Sequence, residues 1–138
     1  MTVRAVGIDL VDVDGFAAQL AAPGSSFVDR TFTAAERDAA RGAAGDAQHL
    51  AARFAAKEAF VKAFSSAITG QAPVLAEVDW REVEVRTDPW GRPILALHGA
   101  LAAAVAAALG PITTHVSLTH EPTTAAAVVV LDQPEASR

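Results

Sequence analysis

A chain of 138 residues with 51% hydrophobic content and a mean hydropathy of +0.27 has the length and apolar content of a single packed domain. A net charge of −5 argues against general nucleic-acid binding, which needs a basic face, and the absence of cysteine excludes disulfides and thiolate metal sites. Any metal must then be held by carboxylates or imidazoles, which favours a hard cation. No apolar run reaches the roughly 20 residues of a membrane span. The N-terminal run, with Arg4 and Asp9, lacks the sequence of regions that makes an export signal, so a soluble cytoplasmic protein is expected.

In chain order, Val3 to Val13 is aliphatic and β-branched on both sides of the alternation, which predicts a strand covered on both faces. Gly15 to Ala22 predicts a short helix ended by Pro23-Gly24. Thr33-Ala-Ala-Glu36 has capping-box spacing and starts a helix to Arg41, followed by a loop from Gly42 to Asp46. Gln48 to Phe64 is the strongest helical segment, seventeen residues without Gly or Pro. After a loop from Ser65 to Asp79, Glu82 to Arg86 and Ile94 to His98 form two strands joined by the turn Asp88-Pro-Trp-Gly-Arg-Pro93. Gly99 to Leu109 forms an Ala-rich helix closed by Gly110-Pro111. Thr113 to Thr119 and Thr124 to Leu131 form a last strand pair before a polar tail from Gln133. The fold class is α+β, an antiparallel sheet packed against a long central helix.

Charges that break this pattern mark the candidate site. On a wheel of about 100° per residue, Leu50, Phe54, Val61 and Phe64 form an apolar stripe on the central helix, and Lys57 falls inside it. An unpaired buried ammonium is costly, so Lys57 needs a protein carboxylate or a bound anion. Glu58 and Lys62 lie one turn apart on the flank of the stripe. Asp9 is an acid in the otherwise apolar run Val6-Gly-Ile-Asp-Leu-Val11. It either pairs with Lys57 or Lys62, or shares a metal with Glu58. Two carboxylates completed by phosphate oxygens and waters suit magnesium. Gly7 would admit a ligand or a second backbone at close range.

Gly7-Ile-Asp-Leu10 followed by Ala52-Arg-Phe-Ala-Ala-Lys-Glu-Ala-Phe-Val-Lys-Ala63 resembles the two signature motifs of the holo-acyl-carrier-protein synthases, which are 4'-phosphopantetheinyl transferases. Trp90-Gly-Arg-Pro93 resembles the family's Gly-x-Pro turn. His115-Val-Ser-Leu-Thr-His120 with Ala125-Ala-Ala-Val-Val resembles its C-terminal strand pair. The resemblance implies transfer of phosphopantetheine from coenzyme A to a serine of an acyl carrier protein, in the service of fatty acid synthesis, by a homotrimer with active sites between subunits. It implies Asp9 and Glu58 as magnesium ligands and Lys62 beside the transferred phosphate. It further implies Arg53 and His120 at the adenosine 3'-phosphate, with Lys57, Gly91 and Pro93 also in the coenzyme A site. Glu58 or a water held by the ion could serve as general base.

This sequence departs from the family pattern at two places. The loop after the central helix reads Phe64-Ser-Ser-Ala-Ile-Thr-Gly70 where the family has Gly-x-Gly, and the first-helix region carries Asp12, Asp14 and Gln19 where relatives carry arginines. The second departure points to a carrier domain within a multidomain synthase, unless Arg30, Arg37 and Arg41 form a displaced basic patch for an acidic carrier. His49, His98 and His115 are expected to be surface or structural residues, Trp90 to fill a gap beside its turn or to stack on the adenine, and His120 either to contact phosphate or to cap backbone at a strand end. A coenzyme A-binding module without catalysis, a structural subunit and a magnesium-dependent pyrophosphate hydrolase are the competing readings.

Overall fold

A computed structural model describes residues 2–41 and 46–136. Strand β1 (Thr2–Asp12) leads into α1 (Val13–Ala21), α2 (Phe27–Thr31) and α3 (Ala34–Ala40), and then the central helix α4 (Asp46–Ala67). A 3₁₀ turn (Trp80–Glu82) precedes the hairpin of β2 (Val83–Thr87) and β3 (Pro93–Leu97). Helix α5 (Gly99–Leu109), β4 (Thr113–His120) and β5 (Thr124–Gln133) complete the order. The strands form two antiparallel sheets, β1-β5-β4 and β2-β3.

The inner face of β1 is Ala5, Gly7 and Asp9, turned towards α4. Gly7 marks the closest approach of the two. A Cβ built on it would lie 1.8 Å from the carbonyl oxygen of Ala59 and 2.8 Å from the amide nitrogen of Ala63. Gly7 therefore accommodates a second backbone, one of the two possibilities its position suggested. On the helix, Ala52, Ala55, Ala56, Ala59 and Ala63 are all buried, so α4 is enclosed on far more than the predicted stripe. Phe54 and Val61, assigned to that stripe, are only partly buried, because the alanine face packs closest to the sheet. The outer face of β1 corrects the expectation of a strand covered on both sides. Val6, Ile8 and Leu10 are 55%, 60% and 69% exposed, since the single chain supplies one helical layer only.

Helix boundaries follow local chemistry. Helix α1 starts two residues earlier than expected because the Asp12 carboxylate accepts a bond from the Gly15 amide and acts as N-cap. Helix α4 extends the predicted segment at both ends, with Asp46 in its first turn where the helix dipole favours an acid. Of the predicted loop, Asp46 is helical and residues 42–45 lie outside the described residues. Helix α2 was not anticipated, because five residues cannot display a helical period. It delivers Phe27 to an aromatic cluster in which Phe16 meets Phe27, Phe32 and Phe54 at centroid distances of 5.8, 6.2 and 5.6 Å. Helix α5 matches its predicted limits and buries Leu101, Val105 and Leu109 along one face.

The capping box of α3 forms as its spacing predicts, and it does more than cap. Glu36 accepts from the Thr33 amide, at 3.0 Å on Oε1, and from the Val85 amide, at 3.0 Å on Oε2. Its Oε1 also accepts from Lys57 Nζ at 2.7 Å, and both side chains are fully buried. Lys57 donates two further bonds to the carbonyls of Trp80 and Val83, each 2.8 Å. The lysine that fell in the apolar stripe thus neither pairs with Asp9 nor meets a ligand, since all three ammonium hydrogens are taken within the fold. Burial lowers the Lys57 pKa, and the Glu36 charge opposes that shift.

Removing one member of a buried pair strands the other, which costs about 3–5 kcal/mol. Lys57→Met should accordingly lower the urea midpoint of the ligand-free protein by that order. Lys57→Met combined with Glu36→Gln should cost less than the sum of the two single changes. An unchanged midpoint for Lys57→Met would contradict the structural role.

Candidate active site

Asp9, Glu58 and Lys62 lie together, and of the alternatives open to Asp9 the structure shows the pairing with Lys62. Asp9 is 9% exposed, on the face of β1 that packs against α4. Lys62 Nζ donates to Asp9 Oδ1 at 2.8 Å and to the Ile8 carbonyl at 3.3 Å, while its side chain remains largely in solvent. This bond and the neighbouring acids raise the Lys62 pKa. Glu58, one turn earlier and partly buried, has its pKa raised first by burial and then by the charge of Asp9, with Lys62 opposing. The two carboxylates repel each other, and the Lys62 ammonium seated on Asp9 offsets part of that charge. Among the described residues, no group of three or more His, Cys, Asp or Glu side chains is placed to hold a metal. The chain therefore offers two carboxylates, and this donor set fits magnesium, which completes its octahedron with water and phosphate oxygens.

A second group of predicted residues lines a cleft of about 310 Å³ elsewhere on the molecule. Arg53 comes from α4, Gly91 and Pro93 from the turn and start of β3, and His120 from the end of β4. The turn is held by Asp88, whose Oδ1 accepts from the amides of Trp90 and Arg92, both 2.9 Å, with Gly91 at φ 83°. Arg53 is 8% exposed and donates from Nη1 to the His49 carbonyl at 3.3 Å, while among the described residues its buried Nε has no partner. Burial lowers the Arg53 pKa and Glu36 opposes the shift.

Lys57 is absent from this cleft, and one histidine expected to be a surface or structural residue is present. His49 lines it, with its ring 5.2 Å from that of His120. Its signal was available, because His49 and Arg53 are one helical turn apart and share a face. His98 and His115 bear out their structural assignment through bonds to Glu84 and Asp132. Trp90 does not fill a gap. It is 77% exposed, with the Arg92 guanidinium 5.2 Å from its ring centre.

Among the described residues, the cleft around Arg53 and His120 is lined by none of Asp9, Glu58 and Lys62. Arg53 and Lys62 are nine residues apart on α4, which at about 100° per residue sets them on opposite sides of the helix. Beyond Glu58 and Lys62, the loop that departs from the family pattern borders a mostly apolar cavity of about 370 Å³, lined by Val61, Phe64, Ile68, Val74 and Leu75 among others. The arginines that could form a displaced basic patch are largely neutralised nearby: Arg37 meets Asp29 at 2.8 Å and Arg41 meets Asp38 at 3.2 Å.

Comparison with known proteins agrees with the motifs. Residues 5–121 match the model of the 4'-phosphopantetheinyl transferase superfamily. The chain is 50% identical over 135 residues to a holo-acyl-carrier-protein synthase of Mycobacterium tuberculosis, covering 97% of this chain and 100% of that one. It is 49% identical over 130 residues to the same enzyme of Corynebacterium glutamicum, with 91% and 96% covered. Among solved structures, a Chronobacterium ammoniagenes ACPS–CoA complex superposes with a TM-score of 0.88 at 42% identity, covering 94% of this chain and 97% of that one. The chain belongs to the 4'-phosphopantetheinyl transferase superfamily.

Proposed function

We propose that the chain is a holo-acyl-carrier-protein synthase, moving the 4'-phosphopantetheine group of coenzyme A onto a serine of an acyl carrier protein. The observation that carries this reading is the meeting of Asp9, Glu58 and Lys62 on the inner side of β1, in a chain half identical to enzymes of that name. The serine oxygen attacks the β-phosphorus of coenzyme A as its hydroxyl proton passes to Glu58 or to a water. The bond from that phosphorus to the bridging oxygen breaks, and adenosine 3',5'-bisphosphate leaves with the bridging oxygen. Asp9 and Glu58 would hold magnesium, which when bound supplies positive charge against the pyrophosphate. Lys62 stabilises the phosphoryl oxygens as a mobile point charge, for which its exposed stem gives it reach. Arg53 and His120 receive the 3'-phosphate, and Gly91 and Pro93 shape the wall of that cleft.

The opposite placement of the two groups on α4 supports a site shared between copies, with the carboxylates of one chain facing the nucleotide cleft of the next. The bare outer face of β1 and β5, with Val6, Ile8, Leu10 and Val128, supports their association as a homotrimer. No described helix is long and apolar enough to cross a membrane. A cytoplasmic enzyme serving fatty acid synthesis is the setting that fits this activity.

Asp9→Asn and Glu58→Gln remove an anionic ligand without changing shape, and each should lower kcat/KM by about 10²–10³-fold. Intact mass of an apo carrier incubated with coenzyme A and magnesium reads this directly, and chelation should reproduce the loss. Near-wild-type transfer by either variant at low magnesium would sink the shared-metal reading.

For the carrier, we favour a domain within a multidomain synthase. Helix α1 presents Asp14 and no Lys or Arg, and two of the three nearby arginines are paired with acids. Recognition then rests on apolar and tethered contacts, so transfer should fall only weakly with salt. A steep loss of kcat/KM with salt, together with preference for a small acidic carrier, would contradict this.

A further inference from the structure

We propose that His49 is a third anion-binding group of the nucleotide cleft, forming with Arg53 and His120 a site built for a phosphomonoester dianion. The inference rests on the reading of that cleft as the place of the terminal phosphate of coenzyme A. It assigns a ligand role to a side chain that the family motifs leave out, and it makes the site draw a proton from solvent as the dianion enters.

Three observations carry it. First, His49 and His120 come from different elements, α4 and β4, and their rings meet at 5.2 Å in an edge-to-face arrangement on the cleft wall. At this distance the His120 ring disfavours the protonated form of His49. Second, Arg53 is anchored to the His49 backbone, so guanidinium and imidazole belong to one rigid turn of helix. Among the described residues the buried Arg53 Nε has no partner, which leaves a charged donor for a ligand oxygen. Third, the charge around His49 is one-sided. Burial lowers its pKa, His120 and Arg53 lower it further, and Asp46 opposes them from the first turn of α4. The hairpin wall brings Val85, Thr87, Gly91 and Pro93, none of them charged, and Glu36 acts on Arg53 from behind.

A cleft that disfavours charge on His49 rewards a dianion by letting that imidazole charge beside it. The proton passes from buffer to imidazole, and the new cation pairs with the phosphate. The same arrangement penalises a nucleotide without the 3'-phosphate, since it leaves the guanidinium Nε and both rings unpaired.

The test is isothermal titration of the full-length protein with adenosine 3',5'-bisphosphate and with adenosine 5'-monophosphate. It is run at pH 7.5 in two buffers of different ionisation heat. The wild type should prefer the bisphosphate by more than about tenfold and take up protons on binding it. His49→Gln should lose about five- to tenfold of that preference, together with part of the proton uptake. His49→Phe retains a ring against His120 and should show the same loss, which separates ligand contact from packing. Thermal melts identify a variant that fails to fold. Unchanged preference and unchanged uptake in both variants would overturn the role of His49 while leaving the transfer reading intact. A wild type that binds the two nucleotides equally would overturn the phosphate reading of the cleft itself.

Discussion

Everything at the candidate site depends on how closely β1 and α4 approach, and that distance is set by one missing side chain. At Gly7 the strand comes so near the helix that any Cβ would collide with the Ala59 carbonyl and the Ala63 amide. Asp9, two residues further along the same face of the strand, thereby comes within 2.8 Å of the Lys62 ammonium. Alanines on the facing side of α4 are the other half of this contact, because larger residues would hold the sheet away. The acid in the apolar strand is therefore placed by packing, and its electrostatic surroundings follow from that placement.

A second clamp, of a different kind, fixes the other half of the site. Glu36 and Lys57 form a fully buried pair whose bonds reach α3, the turn at Trp80 and both Val83 and Val85 of β2. The hairpin that carries Gly91 and Pro93 is thus tied to the helix that carries Arg53. A charge pair so completely hydrogen-bonded is a geometric lock more than a source of net stability. It also explains how Lys57 and Glu58, adjacent in sequence, serve different ends. One points into the fold, and the other lies on the face shared with Asp9.

Residues whose chemistry contradicts their local pattern were legible in the sequence, and those whose role depends on a distant partner were not. Asp9 stood out against a strand of aliphatics, and the spacing of Glu58 and Lys62 put them on one flank of a helix. The Thr33–Glu36 capping box and the limits of α5 followed from local rules. Lys57 was recognisable as an anomaly, yet its partner was not, because Glu36 looked fully employed as a cap. For His49 the sequence shows only a helical neighbour of Arg53, because its other partner, His120, arrives from β4. The outer face of β1 was read as covered because its composition is that of a buried strand. Among the described residues of one chain, no layer packs against it.

The claim with the widest consequences is that transfer needs two copies of the chain, the carboxylates and Lys62 from one and the Arg53–His120 cleft from the next. Co-expressing Asp9→Asn with Arg53→Ala chains tests this most directly, by transfer to an apo carrier. Each variant alone should be nearly inactive, while random mixed oligomers should regain roughly a quarter of the wild-type rate, because one interface in four then joins two intact halves. Mixed oligomers no more active than the separate variants would show that both halves act within a single chain.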